Sequence, residues 1–348
     1  MINYNNQIVQ DDLSEIYNQS VDWEKLKNKT VLVTGATGML ASYFSFMLIY
    51  LNKIHQFNIK ILLLVRNEEK AIKIFGKESS VHYLIQDVCD EIKISQNIDF
   101  LIHAAGASSP YYILNNPVGI INANTIGTIN VLELARKNKV EKVLFTSTRE
   151  VYGNTGSTEI INETEMGIID PLDYRSCYPE SKRMAETILK SYSLQYKIPF
   201  NTVRIAHSYG PGMEIENDGR VMSDFIRDAV NKQNIILQSD GQAERAFCYV
   251  SDAVTALFMV LLKGKQNEAY NIANETEPVK LVELAELICQ LSTANISFSF
   301  KQNENGNAGY CNYKRAVLDV TKLSDLGWKP EISLKLGLLK TLESFQNN

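Results

Sequence analysis

The chain has 348 residues, 45% of them hydrophobic and 22% charged. These ordinary proportions exclude disordered, collagen-like and low-complexity classes. The formal net charge of −5, from 35 Lys+Arg against 40 Asp+Glu, argues against a nucleic-acid partner, which needs a basic stripe, and leaves room for a locally basic pocket for a phosphorylated small molecule.

Residues 1–28 are polar and acidic, unlike a secretory leader. Residues 11–19 and 21–26 predict two short helices in an N-terminal packing arm. From Thr30 onward, short apolar runs at 31–33, 61–65, 81–85, 100–102 and 143–145 alternate with helical segments at 36–51, 69–75 and 125–137. Such alternation predicts parallel strands joined by crossover helices and buried on both faces. A doubly wound α/β (Rossmann) sheet follows, with its ligand beyond the carboxyl ends of the strands.

After about residue 205 the rhythm weakens. A loop is expected at Tyr209-Gly210-Pro211-Gly212, helices over 221–231, 250–262 and 278–291, a strand at 235–237 and a loop over 302–312. The expected organisation is an arm over 1–28, a dinucleotide-binding unit over 29–205 plus about 235–265, and a smaller, interleaved C-terminal α/β substrate unit over 206–234 plus about 266–348. The most apolar stretch, 39–51, is too short to span a bilayer. Five scattered cysteines (Cys89, Cys177, Cys248, Cys289, Cys311) lack a C-x-x-C pair, and His55, His82, His103 and His207 show no ligand spacing. A soluble, cytoplasmic protein with no membrane partner, no disulfide framework and no metal site is expected.

The first apolar run enters Thr34-Gly35-Ala36-Thr37-Gly38-Met39-Leu40-Ala41, a G-x-x-G-x-x-A turn. Gly35 permits the tight turn, Gly38 the approach of a pyrophosphate and Ala41 close packing of helix on strand. The helix N-terminus, with Thr37, Met39 and Leu40, faces the phosphates. Three more strand ends outline the same crevice. Arg66-Asn67 ends the second, Asp87-Val88 follows the third, where a carboxylate can accept an adenine amino hydrogen, and His103-Ala104-Ala105-Gly106 ends the fourth with small residues suited to a flat cofactor. Arg66 stands where an NAD user carries an acid for the ribose 2′-OH, so local chemistry favours NADP slightly over NAD.

The fifth strand ends in Thr148-Arg149-Glu150, and Tyr178-Pro179-Glu180-Ser181-Lys182 follows. Positions i and i+4 share a helix face, so Tyr178 and Lys182 point into one space. An ammonium beside a phenol lowers its pKa, and such a Tyr can take a proton from an alcohol as hydride leaves the carbon. Thr148 is placed to hydrogen-bond the same oxygen. Apolar residues on several sides of the helices around 124–137 and 178–192, such as Val131, Leu132, Leu134, Ile188 and Leu189, exceed what one sheet face needs and suggest a homodimer.

On these motifs the chain resembles the extended short-chain dehydrogenase/reductases, in the nucleotide-sugar epimerase/dehydratase group, over about residues 29–345. It is most similar there to the UDP-glucuronate decarboxylases, through Asn124-Thr125-Ile126-Gly127-Thr128, Arg175-Ser176-Cys177-Tyr178, Lys182-Arg183-Met184-Ala185-Glu186-Thr187, Asn217-Asp218-Gly219-Arg220-Val221 and the run from Arg245 to Asp252. The ending Leu326-Gly327-Trp328-Lys329-Pro330 is typical of the wider group. The resemblance implies NAD as cofactor, a nucleotide-sugar substrate, and a dimer through a four-helix bundle. It implies Tyr178 as catalytic base with Lys182 as its partner, Thr148 as hydroxyl ligand, Glu150 as the carboxylate acting on the sugar ring, and Arg220 and Arg245 near the nucleotide diphosphate. Arg149 stands where decarboxylases carry Ser and 4,6-dehydratases an acidic proton donor, and His207 replaces the usual Asn near the substrate. The reaction implied is decarboxylation through a 4-keto sugar. Epimerisation and 4,6-dehydration share its first oxidation, and a non-catalytic dinucleotide sensor is the alternative of another class.

Overall fold

The computed structural model describes residues 2–301 and 316–346. Its centre is a parallel sheet of seven strands: β1 (Thr30–Thr34), β2 (Lys60–Val65), β3 (Val81–Ile85), β4 (Phe100–His103), β5 (Lys142–Thr148), β6 (Phe200–Ile205) and β7 (Glu268–Ile272). They lie in the order 3-2-1-4-5-6-7. The order reverses between β1 and β4, which pair Val31 with Phe100 through Thr34 with His103. The crevice at that reversal is where a doubly wound sheet binds its ligand.

Both sheet faces are dry because side chains alternate along each strand. Val31 and Val33 enter the core shared with α2 (Met39–His55), whereas Leu32 enters the core shared by the later helices. The helices are α1 (Gln7–Tyr17), α2, α3 (Glu68–Phe75), α4 (Pro110–Asn115), α5 (Pro117–Asn138), α6 (Cys177–Tyr196), α7 (Val221–Val230), α8 (Val250–Lys263), α9 (Leu281–Leu291), α10 (Thr321–Ser324) and α11 (Leu334–Gln346). Phe44 of α2 stacks on Phe258 of α8, ring centroids 4.0 Å apart, and Trp23 of the arm meets Phe258 edge-on at 5.0 Å. The arm packs on these helices. Its first helix, α1, begins four residues before the expected 11 because Asn6 caps it by accepting from Ile8 N, and a 3-10 turn follows at Trp23–Leu26. Lys25 Nζ donates to Leu262 O at 2.7 Å, satisfying a carbonyl that the end of α8 leaves open.

The five expected strands are present, and two more complete the sheet. β6 and β7 carry buried polar residues (Asn201, Thr202, Arg204, Asn271) that break any apolar run. The expected segment 235–237 forms a strand, Ile235–Leu237, but it pairs with Phe298–Phe300 outside the main sheet. β7, expected within the substrate unit, instead pairs with β6 through residues 268–272. The expected boundaries therefore shift, because the chain returns to the sheet after the helix α8 rather than before it. α5 begins eight residues earlier than the predicted 125, since Asn116 caps it by accepting from Gly119 N at 3.2 Å and Pro117 fits its first turn. Within the expected loop at 209–212, Ser208–Tyr209 pairs in parallel with Cys248–Tyr249. The predicted loop over 302–312, with Cys311, lies outside the described residues. No helix among the described residues is long and apolar enough to cross a membrane.

Candidate active site

The turn after β1 is built by contact as much as by conformation. Gly35 has φ +64°, and a Cβ there would lie 2.7 Å from Ala104 O and from Ala105 N. Only glycine lets β1 and β4 end this close. Gly38 caps α2 without a side-chain hydrogen bond, and a Cβ there would meet nothing nearer than Gly35 O at 3.4 Å. The first N–H groups of α2, with Thr37, Met39 and Leu40 around them, are left to an anion.

Beneath the turn runs a buried hydrogen-bond chain. Thr34 Oγ1 accepts from Ala104 N and Ala105 N, both at 3.2 Å, so its own proton goes to His103 Nδ1 at 2.9 Å. His103 Nε2 therefore carries the ring proton and donates to Thr128 Oγ1 at 3.1 Å, which donates to Asn124 O at 2.5 Å. Burial, aided by Lys182, pushes His103 down to about 3, so the ring is neutral. Asn124 Nδ2 donates to Ser181 Oγ at 2.9 Å, and Ser181 Oγ to Tyr178 O at 3.0 Å. The strand ends at the crevice and the helix α6 are thereby one connected unit.

Tyr178 and Lys182 are both buried in the first turns of α6. The Thr148 and Ser108 hydroxyls stand near enough to the Tyr178 phenol to favour its ionised form. The expected tuning of this phenol towards neutrality is not present. Burial first, and then the nearby Glu150 carboxylate, hold its pKa well above the ordinary phenol value, against the opposing pull of Thr148, Arg220 and Ser108. Lys182 does not offset this, because burial pushes it down to about 7. Its Nζ donates to Thr146 O at 2.7 Å and lies 4.6 Å from the Phe145 ring centroid. The carboxylate of Glu150 is raised by burial, and Arg175 and Arg149 draw it back down. The charge of Arg220 is thus felt at the phenol, and the charges of Arg149 and Arg175 at its carboxylate neighbour.

The remaining expected residues fall into two groups. Ala104, Ala105 and Gly106 line the crevice at the end of β4. Beyond β3, Asp87 accepts from Cys89 N at 2.9 Å, and neighbouring Val88 is buried against Gly127. Arg66 is mostly exposed, and its Nη1 stands 3.7 Å from Asp87 Oδ2. On the opposite side Arg220 is gripped by the buried Asp218 through two contacts, Nε–Oδ2 at 2.6 Å and Nη2–Oδ1 at 2.9 Å. Arg245 Nη1 donates to Glu244 O at 2.8 Å, and His207 faces the Phe247 ring at 5.8 Å.

Ser108, Asn124 and Arg175 join the site without having been assigned a role from sequence. Asn124 and Arg175 stand inside the motif runs already noted, and only Ser108 carried no signal. Asn124 Oδ1 is buried without a hydrogen-bond partner, beside the position a Gly106 Cβ would occupy, and Lys182 Nζ is 3.7 Å from that same position.

A family model described as the NAD dependent epimerase/dehydratase family matches residues 31–273. The chain belongs to that family. Among curated relatives, UDP-glucuronic acid decarboxylase 6 of Arabidopsis thaliana is 33% identical over 324 residues, covering 92% of this chain and 89% of the relative. Its paralogue, decarboxylase 5, is 37% identical over 264 residues, 75% of this chain and 73% of the relative. Of the solved structures, the UDP-glucose 4-epimerase of Thermotoga maritima superposes with a TM-score of 0.75 at 23% identity, covering 91% of this chain and 99% of its own. The dTDP-glucose 4,6-dehydratase of Bacillus anthracis gives 0.72 at 23%, covering 92% and 97%. These two likenesses establish the fold. The cofactor of the epimerase/dehydratase family fits the residues present: the side-chain-free cradle at Gly35 and Gly38 suits a pyrophosphate, and the open N-terminus of α2 suits its charge.

Proposed function

We propose that the protein decarboxylates a UDP-linked uronic acid, UDP-glucuronate, to UDP-xylose. The observation that carries this is the identity of about one third, across nine-tenths of the chain, to a protein named UDP-glucuronic acid decarboxylase. The site supplies the chemistry. NAD(P)⁺, when bound, supplies the hydride acceptor for the C4 carbon of the sugar. Tyr178 Oη takes the C4 hydroxyl proton once ionised, and Thr148 holds the same oxygen. The 4-ketone makes the C6 carboxylate a β-keto acid. The C5–C6 pair then moves towards the ketone oxygen and CO₂ leaves, C5 is protonated, and C4 would take back the hydride from the reduced cofactor while its oxygen takes back the proton from Tyr178, which gives the pentose alcohol with no net redox change. Glu150, a carboxyl biased by burial towards its protonated form, stands ready on the ring. Arg149 and Arg175 beside it are suited to hold the substrate's carboxylate.

Arg220 and Arg245 would take the diphosphate, and His207 the sugar side. Arg66, weakly paired and exposed, supports a slight preference for NADP over NAD, tested by calorimetry of both on cofactor-free protein. The protein is proposed to work as a homodimer. The residues named for that purpose in the sequence, Val131, Leu132, Leu134 and Leu189, are buried in the sheet-side core, with Ile188 packed against it. Exposed Val118, Ile121, Ile126 and Ile129 of α5 and Met184 and Leu194 of α6 supply the apolar surplus instead.

The reaction is tested by incubating purified protein with a panel of UDP-, dTDP-, CDP- and GDP-sugars and weighing the products. Loss of about 44 mass units from UDP-glucuronate is expected from the departure of CO₂. Loss of about 18 units from a neutral hexose, the mass of water, or a new isomer of unchanged mass, would replace decarboxylation with dehydration or epimerisation; the shared C4 oxidation and its base would stand.

A further inference from the structure

The arm ahead of β1 lies outside the segment matched by the family model, yet it touches the sugar side of the cleft at two points. The first is a buried carboxylate. Asp12 of α1 is fully buried. Its Oδ2 accepts from Tyr43 OH of α2 and from Tyr249 OH, each at 3.0 Å, and its Oδ1 from Lys340 Nζ of α11 at 2.7 Å. The second is steric: a Cβ on Gly212 would lie 2.7 Å from Ile2 Cγ2, so Ile2 rests on the loop that follows Tyr209.

Tyr249 connects the first contact to the cleft. It ends the short strand Cys248–Tyr249, whose partner is Ser208–Tyr209, and Cys248 N donates to His207 O at 2.9 Å. Four residues before Tyr249 stands Arg245, and Phe247 between them carries the ring that faces His207. Tyr209 and Tyr249 pack edge to face at 5.6 Å against Gly337 of α11, and Tyr209 OH donates to Leu334 O at 3.2 Å. A buried anion holding three donors from three separate elements fixes their mutual position more tightly than apolar packing, because each donor loses a charge-assisted bond if it moves.

We propose that the arm is a positioning element for sugar-nucleotide binding, with Asp12 acting through Tyr249 to set the strand pair of Ser208–Tyr209 and Cys248–Tyr249, which His207 directly precedes on one strand and which Arg245, itself paired with Val279, precedes by three residues on the other. The inference rests on the reading of His207 and Arg245 as facing the sugar nucleotide. Neither Asp12 nor Tyr249 touches the substrate.

The test uses full-length Tyr249→Phe, which removes one hydroxyl and leaves the bond from Tyr43 to Asp12 intact, with Asp12→Asn, Asp12→Ala and His207→Ala beside it. KM and kcat are measured with UDP-glucuronate, or with the nucleotide sugar that the wild type turns over in the panel, and cofactor affinity by calorimetry. Tyr249→Phe is expected to raise KM about tenfold, the scale of one lost hydrogen bond to a charge, with kcat and cofactor affinity within about twofold. Asp12→Ala should do more, and Asp12→Asn, which still accepts from the tyrosines, less. Should Asp12→Ala fail to fold, the Tyr249→Phe result decides alone. Unchanged KM in a folded Tyr249→Phe, or a raised KM accompanied by an equal loss of cofactor affinity, overturns the proposal. If His207→Ala leaves KM unchanged, the reading of the sugar side is what fails, and a raised KM in Tyr249→Phe then has to be traced to Arg245 by Arg245→Ala, whose neutrality would remove the proposal as well.

Discussion

The two sides of the cleft are made of different material. The cofactor side is backbone and small residues held by the chain Thr34–His103–Thr128–Asn124, all of it buried. The side proposed to take the sugar nucleotide is long cationic side chains on short turns, a helix cap and a two-residue strand: Arg149, Arg175, Arg220 and Arg245. Several of these are already engaged, as Arg220 is by Asp218. The first kind of site is specified by what is missing, since a Cβ at Gly35 has nowhere to go. The second is specified by charge, and charge tolerates movement. The cofactor side should therefore fail through shape, and the sugar side through charge and only for charged ligands.

Tyr178, which both sides share, gives the largest effect. Tyr178→Phe should keep fold and cofactor affinity and lower turnover by about 10²–10⁴-fold, measured by product formation alongside calorimetry. Near-normal turnover in the folded variant would remove the base assignment. Next comes shape. Gly35→Ala puts a methyl against Ala104 O and Ala105 N and keeps a positive φ. It should cost about 1–3 kcal/mol from the backbone conformation alone and abolish measurable cofactor binding, read by urea denaturation and calorimetry.

Charge comes third. Arg149→Ser should weaken UDP-glucuronate about tenfold, one charge-assisted contact, and UDP-glucose hardly at all. Equal losses for both ligands would show that Arg149 does not read the carboxylate. No 4-keto-6-deoxy product should form from dTDP- or CDP-glucose, because a guanidinium does not give up its proton at ordinary pH.

The last effect is a pH slope in stability rather than a change in activity. Lys182 is pushed down to about 7 in the folded cofactor-free protein, against about 10.4 when unfolded. The unfolded chain binds the extra proton between those values, so stability rises with pH from about 7 to 10, and the contribution is lost as pH falls through 7. The slope from this group is at most about 1.4 kcal/mol per pH unit. Denaturation midpoints of wild type and Lys182→Met across that range should diverge accordingly; parallel curves would contradict a buried, neutral amine.

What the sequence made legible follows the same division. The glycine turn and the Tyr178–Lys182 spacing are local, so spacing alone exposes them. β6 and β7 are not. Asn201 Nδ2 donates to Lys265 O at 2.6 Å, Arg204 pairs with Glu186 at 2.7 Å, and Asn271 takes the Tyr152 hydroxyl at 2.6 Å. Each of these three residues finds its partner outside its own strand, and no periodicity within the strand announces it. The electrostatics of Tyr178 escape the sequence for a related reason: spacing places an ammonium on the same helix face, but only the packing reveals that burial drives that ammonium towards neutrality.

The carboxylate of Asp12 also bears on how the chain reaches its final state. Its partners Tyr249 and Lys340 follow it by 237 and 328 residues. During synthesis at roughly 5–20 residues per second, Asp12 waits on the order of tens of seconds for its last donor. Throughout that interval α1 has an acid on the face meant for the core, which disfavours premature docking. Tyr43 is the one donor made early, and the carboxylate gains its full set only after α11 has been made.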